Sequence, residues 1–253
     1  ANYNQALPNN AAGTLSLQAR RPIPEYSDIT YAFNGGKSRY KAFQGKVEWR
    51  RGSDLSVLSS LTLSEAKDNG AGSLENPNGN FPAPQNVSNL DADFSYSAYH
   101  EPFNSKTSVV WSLPIGRGRT FGSSMSSALD AFVGGWQLAT INSFNAGEPV
   151  TFTYTPTNAS IVSGIAQDFR GANNYRPNVT CDPYASNKAI TGWFNPSCVV
   201  IPTDPSQPFG NAERNTVRGP NFWQIDMAAS KTVSLVRRVK VELRLEAFNL
   251  LNR

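Results

Sequence analysis

The most constraining feature of this sequence is a strict alternation of apolar and charged side chains near its end. The apolar residues are Val239, Val241, Leu243, Leu245 and Ala247, and the charged residues between them are Lys240, Glu242, Arg244 and Glu246. A period of two puts the two sets on opposite faces of a β-strand, whereas helical spacing would mix them. Two folds satisfy such a strand. In a soluble sandwich the apolar face meets a second sheet, and in a membrane barrel it meets lipid while the charged face lines a wet lumen.

The composition favours strands over helices. The 253 residues are 39% hydrophobic and 17% charged, with 19 Gly and 17 Pro, which is typical of strands joined by polar turns. No apolar run approaches the roughly 20 residues of a spanning helix, whereas a barrel strand needs only about 10 alternating residues. The net charge of +4 is spread along the chain, so nucleic-acid binding has little support.

The alternation recurs in a hairpin. Phe43, Val47 and Trp49 share one face of the first strand, and a turn follows at residues 51–54. The return strand places Leu55, Val57, Leu61 and Leu63 opposite Ser56, Ser60, Thr62 and Ser64. Further strands are predicted at residues 14–20, 27–34, 103–113, 134–144 and 223–230. The facing of residues 136–146 stays open.

Two long polar stretches, residues 66–100 and 155–220, separate these strands. Connections of that length are unusual in a compact soluble domain but ordinary for the extracellular loops of an outer-membrane barrel. We therefore predict an all-β fold: an antiparallel up-and-down transmembrane β-barrel segment of roughly 8 to 10 strands with long extracellular loops.

This fold assigns an environment to the alternating residues. We expect the charged set to face the lumen: Lys46, Glu48, Asp226, Lys240, Glu242, Arg244 and Glu246. We expect the apolar set to face lipid: Val47, Trp49, Trp111, Trp223, Ile225, Val241, Leu243 and Leu245. Aromatic residues near strand ends, including Tyr40, Trp136 and Phe222, suit a girdle at the lipid interface, with core packing as the alternative.

The two cysteines, Cys181 and Cys198, lie in a Pro/Asn-rich region. An oxidising compartment would favour a disulfide between them, and two free thiols are the alternative.

The sequence offers little for bond chemistry. His100 is the only histidine, so a catalytic triad must use it, and a solvated or interfacial position is the simpler interpretation. Asp226, Glu242 and Glu246 could mimic a glycosidase pair, but the interleaved Lys240 and Arg244 favour a cross-strand ion ladder. We expect no enzyme activity and no cofactor.

Metal binding has equally weak support. Asp68, Asp91 and Asp93 lie in one polar stretch, where calcium is conceivable, but their spacing matches no calcium loop. A solvated loop is therefore preferred, and we expect no metal.

Several phrases resemble one family. They are residues 40–48 (YKAFQGKVE), 61–68 (LTLSEAKD), 111–119 (WSLPIGRGR), 134–138 (GGWQL), 193–195 (WFN), 209–215 (FGNAERN), 218–220 (RGP) and 246–253 (EAFNLLNR). In this order they resemble the C-terminal barrel of Oar-like TonB-dependent outer-membrane receptors. The resemblance implies uptake of a bulky nutrient through an outer-membrane barrel, without bond chemistry. It also implies as partners outer-membrane lipid, a plug domain, a TonB-type inner-membrane complex and an unknown ligand.

Such receptors carry an N-terminal plug, a regulatory-like domain and a last strand ending in an aromatic residue, none of which the sequence shows. We therefore expect residues 1–253 to be a partial barrel domain of a larger receptor. The rival hypothesis is a secreted or surface β-sandwich or small barrel that binds a partner through the stretches 66–100 and 155–220.

Overall fold

The computed structural model describes residues 3–8, 14–29, 31, 34–70, 84–154, 176–189, 191–204, 206–236 and 239–252. The chain divides into two compact units. The sheet unit comprises Ala42–Ser64, Glu101–Gly147 and Asn221–Arg253, and the loop unit comprises Ala1–Lys41, Glu65–His100 and Glu148–Pro220.

Strands are the main regular element of the described residues. The strands are β1 (Ser38–Arg51), β2 (Leu55–Asp68), β3 (Ser95–Tyr96), β4 (Phe103–Ser112), β5 (Trp136–Asn145), β6 (Pro149–Val150), β7 (Asn178–Val179), β8 (Tyr184–Ala189), β9 (Gly192–Phe194), β10 (Val199–Val200), β11 (Val217–Arg218), β12 (Phe222–Val236) and β13 (Val239–Ala247). One α-helix, α1 (Ser127–Val133), and short 3-10 helices at Gln18–Arg20, Leu90–Asp93 and Pro196–Cys198 accompany them. The predicted all-β class is confirmed.

The main sheet has the order β1-β2-β4-β5-β12-β13, with the short β3 paired to β2. From β2 to β13 each of these neighbours in the order pairs antiparallel with the next. Among the described strands this sheet is open, because β1 and β13 stand at its two ends. It is the up-and-down order that the alternating sequence predicts.

The register gives the sheet two distinct faces. One cross-strand row joins Leu55, Trp111, Leu138, Ala229 and Leu245. The next row, on the opposite side of the sheet, joins Ser56, Val110, Ala139, Ala228 and Glu246. We call the side of Leu245 the apolar face and the side of Glu246 the polar face.

The ambiguous strand β5 now has a defined facing. Thr140 and Asn142 lie on the apolar face, opposite Met227 and Ile225, while Ile141 lies on the polar face. Because polar residues take apolar-face positions and an isoleucine takes a polar-face position, the sequence of β5 shows no regular alternation. The amide of Asn142 is satisfied on its side of the sheet, because its Oδ1 accepts a hydrogen bond from Trp223 Nε1 at 2.8 Å.

Several strand predictions are wrong. Residues 14–20 contain a 3-10 helix at Gln18–Arg20, and the described part of residues 27–34 holds no strand. Thirteen strands lie within the described residues: seven belong to the main sheet, and the loop unit adds three pairs of short strands, β6 with β11, β7 with β10 and β8 with β9. Strands as short as two residues carry no readable alternation. Residues 155–175 of the second predicted loop lie outside the described residues.

Helix α1 is also absent from the sequence prediction. Its N-cap is Ser126, whose Oγ accepts from Leu129 N at 3.3 Å, which is a standard start signal. The Gly- and Ser-rich surroundings hid this signal. No helix within the described ranges is long and apolar enough to cross a membrane.

Candidate functional site

The structure sorts the predicted site residues of the sheet unit onto two faces. Asp226, Lys240, Glu242, Arg244 and Glu246 share the polar face. Trp111, Trp223, Ile225, Val241, Leu243 and Leu245 share the apolar face. In β1, Lys46 and Glu48 alternate with Val47 and Trp49. The sheet unit thus forms a wall with one charged and one apolar side.

Within the described residues, the apolar face is uncovered along β13. Leu243 and Leu245 are 53% and 68% exposed, although a sandwich would bury such residues beneath a second sheet. The charged side chains of β13 are exposed too. The wall is therefore a single layer that can meet two different media.

The predicted cross-strand ion ladder on β12 and β13 is wrong. Arg244 pairs instead with Glu246 on its own strand, at 2.5 Å. The residues opposite them are Ser230 and Ala228, which carry no charge, so the attraction runs along the strand. Asp226 accepts from Gln224 Nε2 and from Asn249 N, both at 2.8 Å.

Aromatic side chains mark both ends of the apolar face. At one end Phe103 contacts Phe144, with ring centroids 5.0 Å apart, and Phe144 contacts Trp223 at 6.4 Å. At the other end Trp111 and Trp136 lie at the end of β4 and the start of β5. Eight residues separate Trp136 from Phe144, or about 26 Å along the strand at roughly 3.3 Å per residue. Strands of outer-membrane barrels tilt by about 40°, so this length spans about 20 Å of height, somewhat less than the roughly 25 Å apolar band.

The loop unit is built around buried ion pairs. Arg176 and Asp93 contact at 2.5 Å, and their side chains are only 5% and 3% exposed. Gln85 N donates to Asp93 Oδ2, and Gln85 Oε1 accepts from Arg176 N. The solvated loop that the sequence favoured for Asp93 is therefore wrong: the carboxylate neutralises an arginine far along the chain.

A second pair extends the same network. Arg214 donates to both Asp68 Oδ1 and Asp68 O, at 2.9 and 2.6 Å, and its Nε donates to Asp93 O. Asp68 is thus also buried and paired, whereas Asp91 is exposed and pairs with Lys37. The carboxylates considered for calcium are occupied by cations of the chain.

Gln5 ties the N-terminal segment to this network. Gln5 Nε2 donates to Gln85 O at 3.0 Å, and Gln5 Oε1 accepts from Val87 N at 2.8 Å. Gln85 Nε2 in turn donates to Gly210 O at 3.1 Å. The pairs and amides together join three stretches of sequence into one body.

His100 is buried, so of the solvated or interfacial position predicted for it, the solvated alternative is wrong. Its ring stacks on Tyr96 with centroids 4.3 Å apart, and its Nδ1 accepts from Ala66 N at 3.3 Å. Burial lowers the pKa of His100, with a further lowering by the neighbouring Arg218 guanidinium. A neutral imidazole that accepts a backbone hydrogen bond is a structural element.

Cys181 and Cys198 form a disulfide with Cα atoms 5.1 Å apart. Thr180 N donates to Cys198 O at 2.9 Å beside it, where β7 pairs with β10. Trp193 Nε1 donates to Arg218 O at 2.7 Å. The bridge and these bonds hold the described part of residues 176–220 together.

No sequence pattern points to the arginines that organise the loop unit. Arg176 and Arg214 were not singled out, although Arg214 lies within the phrase 209–215 that carried part of the family resemblance. Their partners lie 83 and 146 residues away in sequence. No local pattern signals such pairs.

A single-layer wall with one charged and one apolar face, bounded by aromatic ends, is the class of structure that lines a membrane barrel. The family model for an outer membrane beta barrel domain matches residues 1–253. The chain therefore belongs to this outer-membrane β-barrel family, and its location is the bacterial outer membrane. No curated protein and no solved structure matched the chain.

Proposed function

We propose that the chain forms barrel wall and external loops of a TonB-dependent, Oar-like outer-membrane receptor that takes up a bulky nutrient. The observation that carries the proposal is the ordered structure of the loop unit, in which buried ion pairs, amide hydrogen bonds and a disulfide hold the segments between strands. Ligand capture benefits from such pre-organisation, because loops that are already ordered lose less entropy on binding.

The polar face supports the same function. Its charges, from Asp226 to Glu246, stand on strands β12 and β13, where a barrel lumen would present them to a plug domain. The partners proposed are this plug, the TonB-type complex that pulls on it, outer-membrane lipid and the ligand. The protein would transport without breaking bonds, so we assign no catalytic residues, metal or cofactor to it.

The rival hypothesis of a secreted β-sandwich receives no support from the exposed Leu243 and Leu245. The loop unit could still serve recognition alone, without transport. Energy dependence separates the two functions, since a receptor of this class works only while the inner membrane is energised.

Nutrient uptake by the parent bacterium tests the proposal. Cells with and without the gene are compared on pools of large peptides, oligosaccharides and metal chelates, each with and without a proton ionophore. We expect one pool whose uptake needs both the gene and the proton gradient. Uptake that needs the gene but resists the ionophore would indicate a passive pore, and gene-independent uptake of every pool would remove the transport function.

A further inference from the structure

Helix α1 presents an apolar side that nothing in the described residues covers. Leu129, Phe132 and Val133 recur at the spacing that places side chains on one helical face. All three are exposed, and Phe132 is 79% exposed. Phe121, in the connection that precedes the helix, is exposed as well.

The opposite side of α1 is fixed to the connection before it. Asp130 Oδ1 accepts from Arg117 N at 2.7 Å, and Arg117 Nη1 donates to Ser127 Oγ at 2.6 Å. A side chain at Gly134 or Gly116 would collide with Asp130 Oδ1. The polar side of the helix is therefore bound to the connection before it, and Leu129, Phe132 and Val133 take no part in these contacts.

Contacts with the sheet place the helix on the side of the apolar face. Lys231 lies on that face, opposite Trp136 and Leu243. Its Nζ donates to the carbonyl oxygens of Asp130 and Gly134 at the C-terminal end of the helix, where a cation is favoured. Trp136 Nε1 also donates to Phe132 O at 2.9 Å. The exposed side of α1 thus continues the apolar face at its Trp111–Trp136 end.

Two of the three connections at this end of the sheet are short, and the third, residues 113–135, contains α1. Strand β1 ends at Arg51 before β2 begins at Leu55, and β12 ends at Val236 before β13 begins at Val239. In outer-membrane barrels the short turns lie at the periplasmic side. A helix with Leu and Phe on one side, placed where a lipid-facing wall ends, meets the boundary between headgroups and acyl chains.

We propose that α1 and Phe121 form a membrane-interface anchor whose occupant is the phospholipid surface of the periplasmic leaflet. Leu129, Phe132 and Val133 enter the acyl boundary, while Asp130 and Ser127 stay with the protein. The anchor rests on membership of the outer-membrane barrel family and does not depend on which ligand is transported. It fixes the depth at which the Trp111–Trp136 end of the wall sits in the bilayer.

Spin labels on single cysteines test the anchor in protein reconstituted into bilayers of phosphatidylcholine and phosphatidylglycerol. Both native cysteines are in the disulfide, so labelling of Phe132→Cys is selective. The matched control is Ala131→Cys, because Ala131 is exposed and immediately precedes Phe132 on the same helix. Leu243→Cys reports whether the apolar face itself meets lipid. Collision rates with oxygen, which concentrates in lipid, and with a water-soluble nickel chelate are measured at each site.

We expect the oxygen-to-nickel collision ratio at residue 132 to exceed that at residue 131 several-fold, with a still higher ratio at residue 243. Equal, water-like ratios at 131 and 132 together with a lipid-like ratio at 243 would overturn the anchor and leave the barrel intact. A label at 132 that is immobile and shielded from both reagents would also overturn it, because protein rather than lipid would then cover the helix. Water-like ratios at all three sites would overturn the lipid-facing wall itself.

Discussion

At the scale of single residues, the loop unit depends on charges that water cannot reach. Asp91 and Asp93 belong to the same 3-10 helix, but only the side chain of Asp93 is buried with its arginine, Arg176. Asp91 is 78% exposed beside Lys37. The two positions therefore form a matched pair that differs in burial.

We expect Asp93→Asn to lower the free energy of unfolding of the loop unit by about 3–5 kcal/mol, because it leaves a buried guanidinium without its counter-charge. Asp91→Asn should cost no more than about 1 kcal/mol, as exposed pairs do. Hydrogen exchange at Ala212, whose N–H donates to Pro177 O at 3.0 Å, measures both. Equal losses for the two variants would contradict the role assigned to burial.

Gly210 is required by the close approach of backbone atoms. A Cβ at this position would lie 2.1 Å from Arg176 O and 2.3 Å from Pro177 O, and neither atom belongs to a flexible side chain. We expect Gly210→Ala to destabilise the loop unit by about 1–3 kcal/mol, the usual cost of overpacking. The control is Gly192→Ala, where no atom lies within 4 Å. The measurement is the temperature at which the Ala212 amide loses its protection from hydrogen exchange in each variant. An unchanged temperature in Gly210→Ala would contradict the close backbone packing.

His100 should give the loop unit a pH-dependent stability. Desolvation, Arg218 and Lys67 lower its pKa below the ordinary 6.5, against an opposing effect of Glu65. A His with a lowered folded-state pKa contributes stability that is complete above its unfolded-state pKa, and that is lost as pH falls through the folded-state pKa. The loop unit should therefore weaken as pH falls below about 6.5.

The measurement is the protection factor of the Ser97 amide, whose N–H donates to Ala66 O at 3.0 Å, between pH 7.5 and 5 (a range set about the ordinary His pKa of ~6.5). His100→Phe keeps an aromatic ring against Tyr96 but cannot titrate, so it should flatten this pH dependence. An unchanged pH profile in the variant would assign the titration to another group.

At the scale of elements, strand β12 offers a direct test of the two faces. Ala228 and Ala229 are neighbours with the same side chain, but Ala229 lies between Leu138 and Leu245, and Ala228 lies between Ala139 and Glu246. Ala229 lies two residues from the Trp136 end of the apolar face, between the interface and the midplane, so we expect Ala229→Lys to make membrane insertion less favourable by about 1–2 kcal/mol. Ala228→Lys should be close to neutral.

The readout for this pair is the fraction of protein with the fast, heat-sensitive gel mobility of a folded barrel after insertion into bilayers. If both lysine variants insert equally well, the apolar face does not meet lipid. If Ala228→Lys is the worse variant, the faces are assigned the wrong way round.

Elements with a regular period were predictable from the sequence, and the others were not. β13 alternates over all nine of its residues, and most of β2 and β12 alternates as well, with breaks such as Leu58-Ser59 and Lys231, so the apolar and polar faces could be assigned before any register was known. β5 failed because Thr140 and Asn142 take apolar-face positions. The side-chain oxygen of Asn142 is satisfied by a tertiary contact, the bond from Trp223 Nε1, which no local pattern contains.

The candidate site was predictable to the same extent. The charged residues of β13 followed from alternation alone, because a period of two needs no partner strand. The loop unit was out of reach, since Asp93 and Arg176 meet across 83 residues and each one reads locally as an ordinary polar loop residue. His100 was misjudged for this reason too, because only the fold brings Tyr96 and Arg218 to it.

At the scale of the whole molecule, the main sheet has six long strands, β1, β2, β4, β5, β12 and β13. Single-chain outer-membrane barrels use at least about eight strands, because unpaired backbone groups are costly in lipid. Among the described strands, β1 and β13 each have one long neighbour. In the membrane we therefore expect further strands to pair with both.

The two units should respond separately to loss of the disulfide. The disulfide closes a loop with a sequence separation of 17 within the loop unit, and loss of such a bridge costs about 3 kcal/mol in the chain-entropy account. We expect the double variant Cys181→Ser, Cys198→Ser to speed exchange of the Thr180 amide, whose N–H donates to Cys198 O. The sheet unit contains neither cysteine, so the heat-sensitive gel mobility should stay unchanged. Different forces stabilise the barrel wall and its loops: burial in lipid stabilises the wall, and buried ion pairs with a disulfide stabilise the loops. A double variant that lost both the Thr180 protection and the heat-sensitive gel mobility would show that the wall cannot form without its loops.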